Sequence, residues 1–269
     1  MPQVNWRRAF NVTLTKATGY KLVRAERLGS QPQPPPHKRP KRPARQVPRH
    51  YDEGAREIIQ TVRPRTMTEH EKLFALVGAT RYIVDYDIPG AIVECGVWRG
   101  GSMQAVAYAL LERGVGDREL HLFDTFEGMP EPSERDRRYD GEPAVQLLER
   151  NPKTANIWAI ASLPDVEAAM AETGYPQDRI SLHPGLVEST IPDQAPDQIA
   201  ILRLDTDWYE STKHELEHLY DRVPSRGVVI FDDYGYWQGA RQAVDEFLDS
   251  RDERLLLVPA ASGRIAIKP

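Results

Sequence analysis

A chain of 269 residues with 40% apolar content can bury one sizeable core, and a single α/β domain of about 200 to 250 residues plus a tail is the arrangement to expect. The net charge of −5 hides an asymmetry: residues 1–50 carry twelve Lys or Arg against one acid, Glu26, about +11, which leaves about −16 on the remainder. The acidic body argues against a nucleic-acid-binding core, the lone Cys95 rules out an intrachain disulfide, and no stretch approaches the ~20 apolar residues of a membrane span or resembles a signal peptide, so cytoplasmic residence is expected.

Residues 1–30 interleave Val4, Trp6, Phe10 and Leu14 with basic side chains, the pattern of an amphipathic segment. Such a segment suits packing on the body or on a second subunit, and equally a peripheral contact with an anionic membrane surface. Residues 31–50 are proline-rich and basic; missing backbone donors and repelling cations predict an extended linker. Residues 51–269 then form the catalytic domain. Within it, Thr68-Glu-His-Glu71 has capping-box spacing ahead of Leu73, Phe74, Leu76, Val77 and Ile83, which predicts a helix leading into the core.

Beyond Gly90, apolar runs at 91–95, 120–124, 180–183, 199–205, 228–232, 255–258 and 264–267 read as strands. Helical patterns near 102–112, 165–172, 210–222 and 239–250 alternate with them. This alternation predicts a doubly wound, mostly parallel seven-stranded sheet covered on both faces, a Rossmann-like α/β architecture. The last two strands are separated only by Ala260-Ala-Ser-Gly263, too short for a parallel crossover, so an antiparallel strand is expected at the C-terminal end. That is the shape of the class I methyltransferases.

In such sheets ligands bind beyond the carboxyl ends of the strands, where strand order reverses. The first strand ends in Glu94-Cys-Gly96-Val-Trp98-Arg-Gly100-Gly101-Ser102. Its glycines allow backbone to approach a ligand, and Ser102 is placed to cap the next helix. Trp98 stands where a dinucleotide fingerprint requires its second glycine, which disfavours a nicotinamide cofactor. S-adenosylmethionine has no phosphate; Glu94 suits its α-ammonium group and Asp124, closing the second strand, suits a ribose.

Two acidic clusters close later strands, Asp205-Thr-Asp207 and Asp232-Asp233. In a class I sheet they meet beside the methyl donor, and carboxylates so close call for a hard cation, magnesium or calcium rather than zinc. A cation holding vicinal oxygens would acidify a sugar hydroxyl, and one carboxylate, Asp207 ahead of Asp205, would take the proton. Residues 130–158, long and charged, read as a lid that recognises the acceptor. Trp98, Trp208, Tyr209, Tyr234, Tyr236 and Trp237 flank the clusters and could stack on sugar faces or pack in the core. His214-Glu-Leu-Glu-His218 matches a zinc-protease spacing, but its interleaved charges point to an exposed helix face.

The segments Glu94-Cys-Gly-Val-Trp-Arg-Gly-Gly101, Phe123-Asp-Thr-Phe-Glu-Gly-Met-Pro130, Leu202-Arg-Leu-Asp-Thr-Asp-Trp-Tyr-Glu-Ser-Thr212, Phe231-Asp-Asp-Tyr-Gly235 and Arg241-Gln-Ala-Val-Asp245 resemble the TylF/MycF group of macrocin-type sugar O-methyltransferases. The resemblance runs from about Thr66 to Lys268. It implies methylation of a glycoside or sugar acceptor in antibiotic biosynthesis, and a homo-oligomer. It also implies magnesium on Asp205, Asp232 and Asp233 with Asp207 as base, and adenosylmethionine contacts at Thr66, Met67, Glu94, Gly96, Ser102, Asp124 and Gly185. Thr206 stands where the family usually has glycine, and the basic tail has no counterpart in the family pattern. Two other readings fit the same residues: a metal-dependent methyltransferase of catechols or other small diols, and a non-catalytic adenosyl-ligand binding protein.

Overall fold

The short apolar runs become strands, and their order in space is what positions the site. The computed structural model describes residues 47–269; the basic segment 1–30 and residues 31–46 of the expected linker lie outside the described residues. The described chain begins with helix α1 (Glu53–Val62), capped by Asp52, whose Oδ1 accepts from the Ala55 N–H at 2.9 Å. Helix α2 (His70–Asp85) follows. Its N-cap is Glu69 rather than Thr68, so the capping box is not formed; Thr68 turns inward instead, its Oγ1 3.4 Å from Ser102 Oγ.

Strands β1 (Ala91–Cys95), β2 (Leu120–Asp124), β3 (Ile180–Pro184), β4 (Ile199–Leu204), β5 (Val228–Phe231), β6 (Val258–Ala260) and β7 (Gly263–Ile267) form one sheet in the order β3-β2-β1-β4-β5-β7-β6. The first five are parallel, whereas β7 runs antiparallel to both β5 and β6. β4 and β5 stop one residue short of their expected ends, which leaves Asp205 and Asp232 just outside the sheet. β6 begins at Val258, not 255: the Ala260–Gly263 pairing fixes the register from the turn, and Leu256, in the run expected to be strand, is 80% exposed.

The connecting helices are α3 (Gly101–Glu112), α4 (Ala144–Glu149), α5 (Leu163–Glu172), α6 (Val187–Thr190), α7 (Tyr209–Leu219) and α8 (Gln238–Asp249). Alternation along β1 sends Ile92 to a core shared with Leu76, Ile83, Val106 and Leu110, and Val93 and Cys95 to a second core with Leu216, Leu219 and Val244. Each fully buried aliphatic side chain contributes about 1.5–3 kcal/mol relative to exposure, so both faces of the sheet are closed. Strand order reverses between β1 and β4, and the crevice beyond their carboxyl ends is where such sheets bind ligands. Among the described residues no helix is long and apolar enough to cross a membrane.

Candidate active site

At the end of β1 the chain must turn while touching the end of β4. Gly96 makes this approach possible: its φ is +84°, and a Cβ there would lie 2.0 Å from the Asp205 carbonyl oxygen. The Asp205 N–H donates to the Cys95 carbonyl at 2.8 Å, so the glycine turn and the acidic turn are one hydrogen-bonded unit. Trp98 and Asp207 both occupy the left-handed region, with φ of 48° and 68°, a backbone state that non-glycine residues hold only where surroundings enforce it. The next helix starts at Gly101 with Gly100 as its N-cap, so Ser102 does not cap it.

A cavity of about 460 Å³ opens beyond these strands. Thr66, Met67, Gly96, Ser102, Asp124 and Gly185 line it, as do Asp205, Asp207, Asp232 and Asp233. Glu94 does not line it: the side chain is fully buried, and its Oε1 pairs with Arg203 rather than facing a ligand. Asp124 is already heavily used. Its Oδ2 accepts from the Val97 and Trp98 N–H groups at 2.7 and 2.9 Å and its Oδ1 from Phe126 at 2.7 Å, so it holds the glycine turn in shape while facing the cavity.

The acidic end is assembled around two cations. Direct pairing of Glu94 with Arg203 in the β1–β4 register puts the guanidinium beneath the cluster, where it also reaches Asp205 at 2.8 Å and Asp232 at 2.6 Å. Lys72, from α2, approaches the other Asp232 oxygen at 2.6 Å. Asp205, Asp232 and Asp233 each present an oxygen within 4.8 Å of the others, the one such group among the described residues. Asp233 Oδ2 is buried without a hydrogen-bond partner. An all-oxygen donor set with an orphaned buried carboxylate oxygen fits a hard divalent cation.

The electrostatics agree. Burial, together with Asp232 and Asp233, pushes the Asp205 carboxyl well up despite Arg203; burial and the neighbouring Asp207 and Asp232 do the same to Asp233. Asp232 goes the other way: burial opposes its ionisation, but Arg203 and Lys72 outweigh it and hold the carboxyl well below its usual range. Asp207 is raised to about 7 by burial and by Asp205, and its Oδ1 accepts the Trp237 indole N–H at 2.5 Å.

Residues 130–158 form a wall stitched to the site and contain α4 and a 3₁₀ turn at Asn156–Trp158. Asp136, 1% exposed, accepts from the Tyr209 N–H at 2.8 Å and from Ser133, which fastens this wall to the start of α7 two residues after Asp207. Gly239 permits the contact, since a Cβ there would lie 2.1 Å from Asp136 Oδ1. The Tyr139 N–H donates to Tyr236 and the Gln238 N–H to Arg137, adding a second seam. Of the flanking aromatics, Trp208, Tyr209 and Trp237 are buried, and Tyr234 donates its hydroxyl to Asp245. Tyr236 lines the cavity at 38% exposure, with the 63% exposed Tyr139 ring 5.9 Å away.

The family model described as Macrocin-O-methyltransferase (TylF) matches residues 37–257. The chain belongs to the TylF macrocin O-methyltransferase family. Among relatives of this family member, the 8-demethyl-8-(2,3-dimethoxy-alpha-L-rhamnosyl)-tetracenomycin-C 4'-O-methyltransferase of Streptomyces olivaceus is 34% identical over 68% of this chain and 67% of its own. The demethyldecarbamoylnovobiocin O-methyltransferase of Streptomyces niveus is 32% identical over 65% of each chain, just under two thirds of that relative's length. The solved structure of the O-methyltransferase NovP is similar at 29% identity and a TM-score of 0.66, over 76% of this chain and 82% of that one.

Several residues that build this site in the TylF-family chain were not singled out in sequence. Arg203 sits inside the apolar run Ile199–Leu204, and a charge there signals a buried pair. Lys72 and Asp136 carry no comparable signal. In the His214–His218 segment the Glu215 side chain is fully buried, so the face is not wholly exposed as expected. His214 pairs with the Ile191 carbonyl at 3.0 Å, and no metal-ligand group forms around it among the described residues.

Proposed function

We propose that this O-methyltransferase moves a methyl group from S-adenosylmethionine to a hydroxyl of a sugar on a glycosylated natural product, with magnesium held by Asp205, Asp232 and Asp233. The observation that carries this reading is convergence: three carboxylates from two strand ends point at one position on the wall of a cavity that the Gly96 turn also lines. When bound, the ion would lower the pKa of the sugar hydroxyl and orient it, and adenosylmethionine would supply the methyl group.

The chain's own residues do the rest. Asp207, near 7 and aimed by Trp237, takes the hydroxyl proton as the oxygen–methyl bond forms and the sulfur–methyl bond breaks. Arg203 keeps Asp232 ionised for its ligand role. Thr66, Met67, Ser102 and Gly185 contact the adenosyl ligand, with Asp124 shaping its turn. Tyr236 and Tyr139 offer ring faces to the sugar, and residues 130–158 act as the acceptor wall. A sugar is favoured as acceptor because relatives are named for rhamnosyl and other antibiotic O-methylations.

The test is transfer of labelled methyl from adenosylmethionine to demethylated rhamnosides and to catechols, with magnesium or with chelator. Magnesium-dependent labelling of glycosides is expected, falling about 10²–10⁴-fold in Asp207→Asn while the fold is kept. Labelling of catechols alone would replace the sugar acceptor, and adenosylmethionine binding without any transfer would overturn the enzymatic reading.

A further inference from the structure

Lysine is almost never fully buried unless paired, yet Lys72 is 8% exposed on a cavity wall among carboxylates. Its Nζ lies 2.6 Å from Asp232 Oδ2 and 3.1 Å from Glu69. Arg203 occupies Asp232 Oδ1 at 2.6 Å, so both oxygens of this one aspartate are engaged by cations of the chain. Asp233, its neighbour, keeps an oxygen with no partner. The triad is therefore unevenly neutralised: both oxygens of Asp232 are held by cations, whereas Asp233 has no cation in direct contact and shares a hydrogen bond with Asp207.

An ion bound by all three aspartates must share the carboxylate that Lys72 holds. An ammonium and a divalent cation on one buried carboxylate repel each other strongly, because the surroundings screen poorly. We propose that Lys72 is a built-in counter-ion of the aspartate triad, which competes with the divalent cation for Asp232 and lets go when the ion enters. The cluster can then stay folded before the ion arrives, at the cost of weaker ion binding. The inference rests on the metal site proposed above and concerns a residue that this site does not include.

The test uses the full chain, freed of metal by chelation and titrated with magnesium in a calorimeter. Lys72→Met removes the cation, and Lys72→Gln removes the charge while keeping a hydrogen-bond donor. Both should bind magnesium roughly tenfold more tightly than the wild type. Both should also unfold at a lower temperature without metal and gain more from its addition. A second readout needs no variant: magnesium should raise acylation of the Lys72 amine in the wild type, followed by peptide mass spectrometry.

Binding that is unchanged or weaker in both variants, or Lys72 labelling indifferent to magnesium in a wild type that binds it, overturns the counter-ion role and leaves the metal site standing. Uptake by the variants alone supports the role in its strongest form. Absence of uptake by wild type and variants alike overturns the metal site, and the counter-ion role with it.

Discussion

Replacing Arg203 by methionine should be the most damaging single change in the acidic cluster. The guanidinium is buried and binds Glu94, Asp205 and Asp232, with Thr68 Oγ1 as a further acceptor at 3.2 Å. Methionine fills much of the same volume, so the packing loss is small and the electrostatic loss dominates. Removing one partner from a buried ion network costs about 3–5 kcal/mol, because Glu94 and Asp205 remain out of water without the guanidinium and Asp232 is left with Lys72 alone. For a domain of this size the unfolding temperature should fall by roughly 6–20 °C.

The assay is thermal unfolding followed by circular dichroism in chelator and again with magnesium. Saturation at about a hundred times the dissociation constant should return about 2.7 kcal/mol if the ion binds only the folded state. Arg203→Lys, with charge but no fork, should fall between the two proteins. A loss under about 1 kcal/mol for Arg203→Met in chelator would refute the reasoning, since it would mean that these carboxylates do not depend on the guanidinium.

Two further outcomes follow from other parts of the site. Glu94 is raised from 4.5 to about 7 by burial, against the pull of Arg203, so the folded protein holds this proton more tightly than the unfolded chain. Stability should therefore fall as pH rises from 4.5 to about 7, by up to ~3 kcal/mol from this group, and Glu94→Gln should flatten that slope in denaturant titrations at stepped pH. Asp136→Ala leaves the Tyr209 N–H and Ser133 without an acceptor and should cost about 1–3 kcal/mol. If residues 130–158 contact the acceptor as proposed, KM for the sugar acceptor should rise more than KM for adenosylmethionine in steady-state kinetics.

The fold was largely legible in the residue pattern. Alternation of short apolar strands with amphipathic helices, and the four-residue link before Gly263, were enough to indicate a parallel sheet closed by an antiparallel strand. Asp205, Asp232 and Asp233 were legible because aspartates at the ends of apolar strands have no packing reason to cluster. What escaped was pairing. Lys72 looks like any helix lysine until α2 is laid across the strand ends, and Glu94 looks available to a ligand until the β1–β4 register sets it beside Arg203. Glu215 lies on a helix whose neighbouring charges disguise its inward face. The start of β6 was missed for a related reason: its register is set by the hairpin turn, which outweighs the hydrophobicity of residues 255–257.

The seam between residues 130–158 and the start of α8 bears on how acceptor range could be re-engineered. Because Arg137 and Tyr139 bond to Gln238 and Tyr236, with Arg138 opposite Trp237, and Asp136 nests against Gly239, the two strips support each other's shape. A graft of 130–158 alone should break the bonds to 236–238 and the fit of Asp136 against Gly239. Chimaeras that exchange both strips as one cassette should keep the seam intact and, if this wall contacts the acceptor as proposed, change which acceptor the cavity admits.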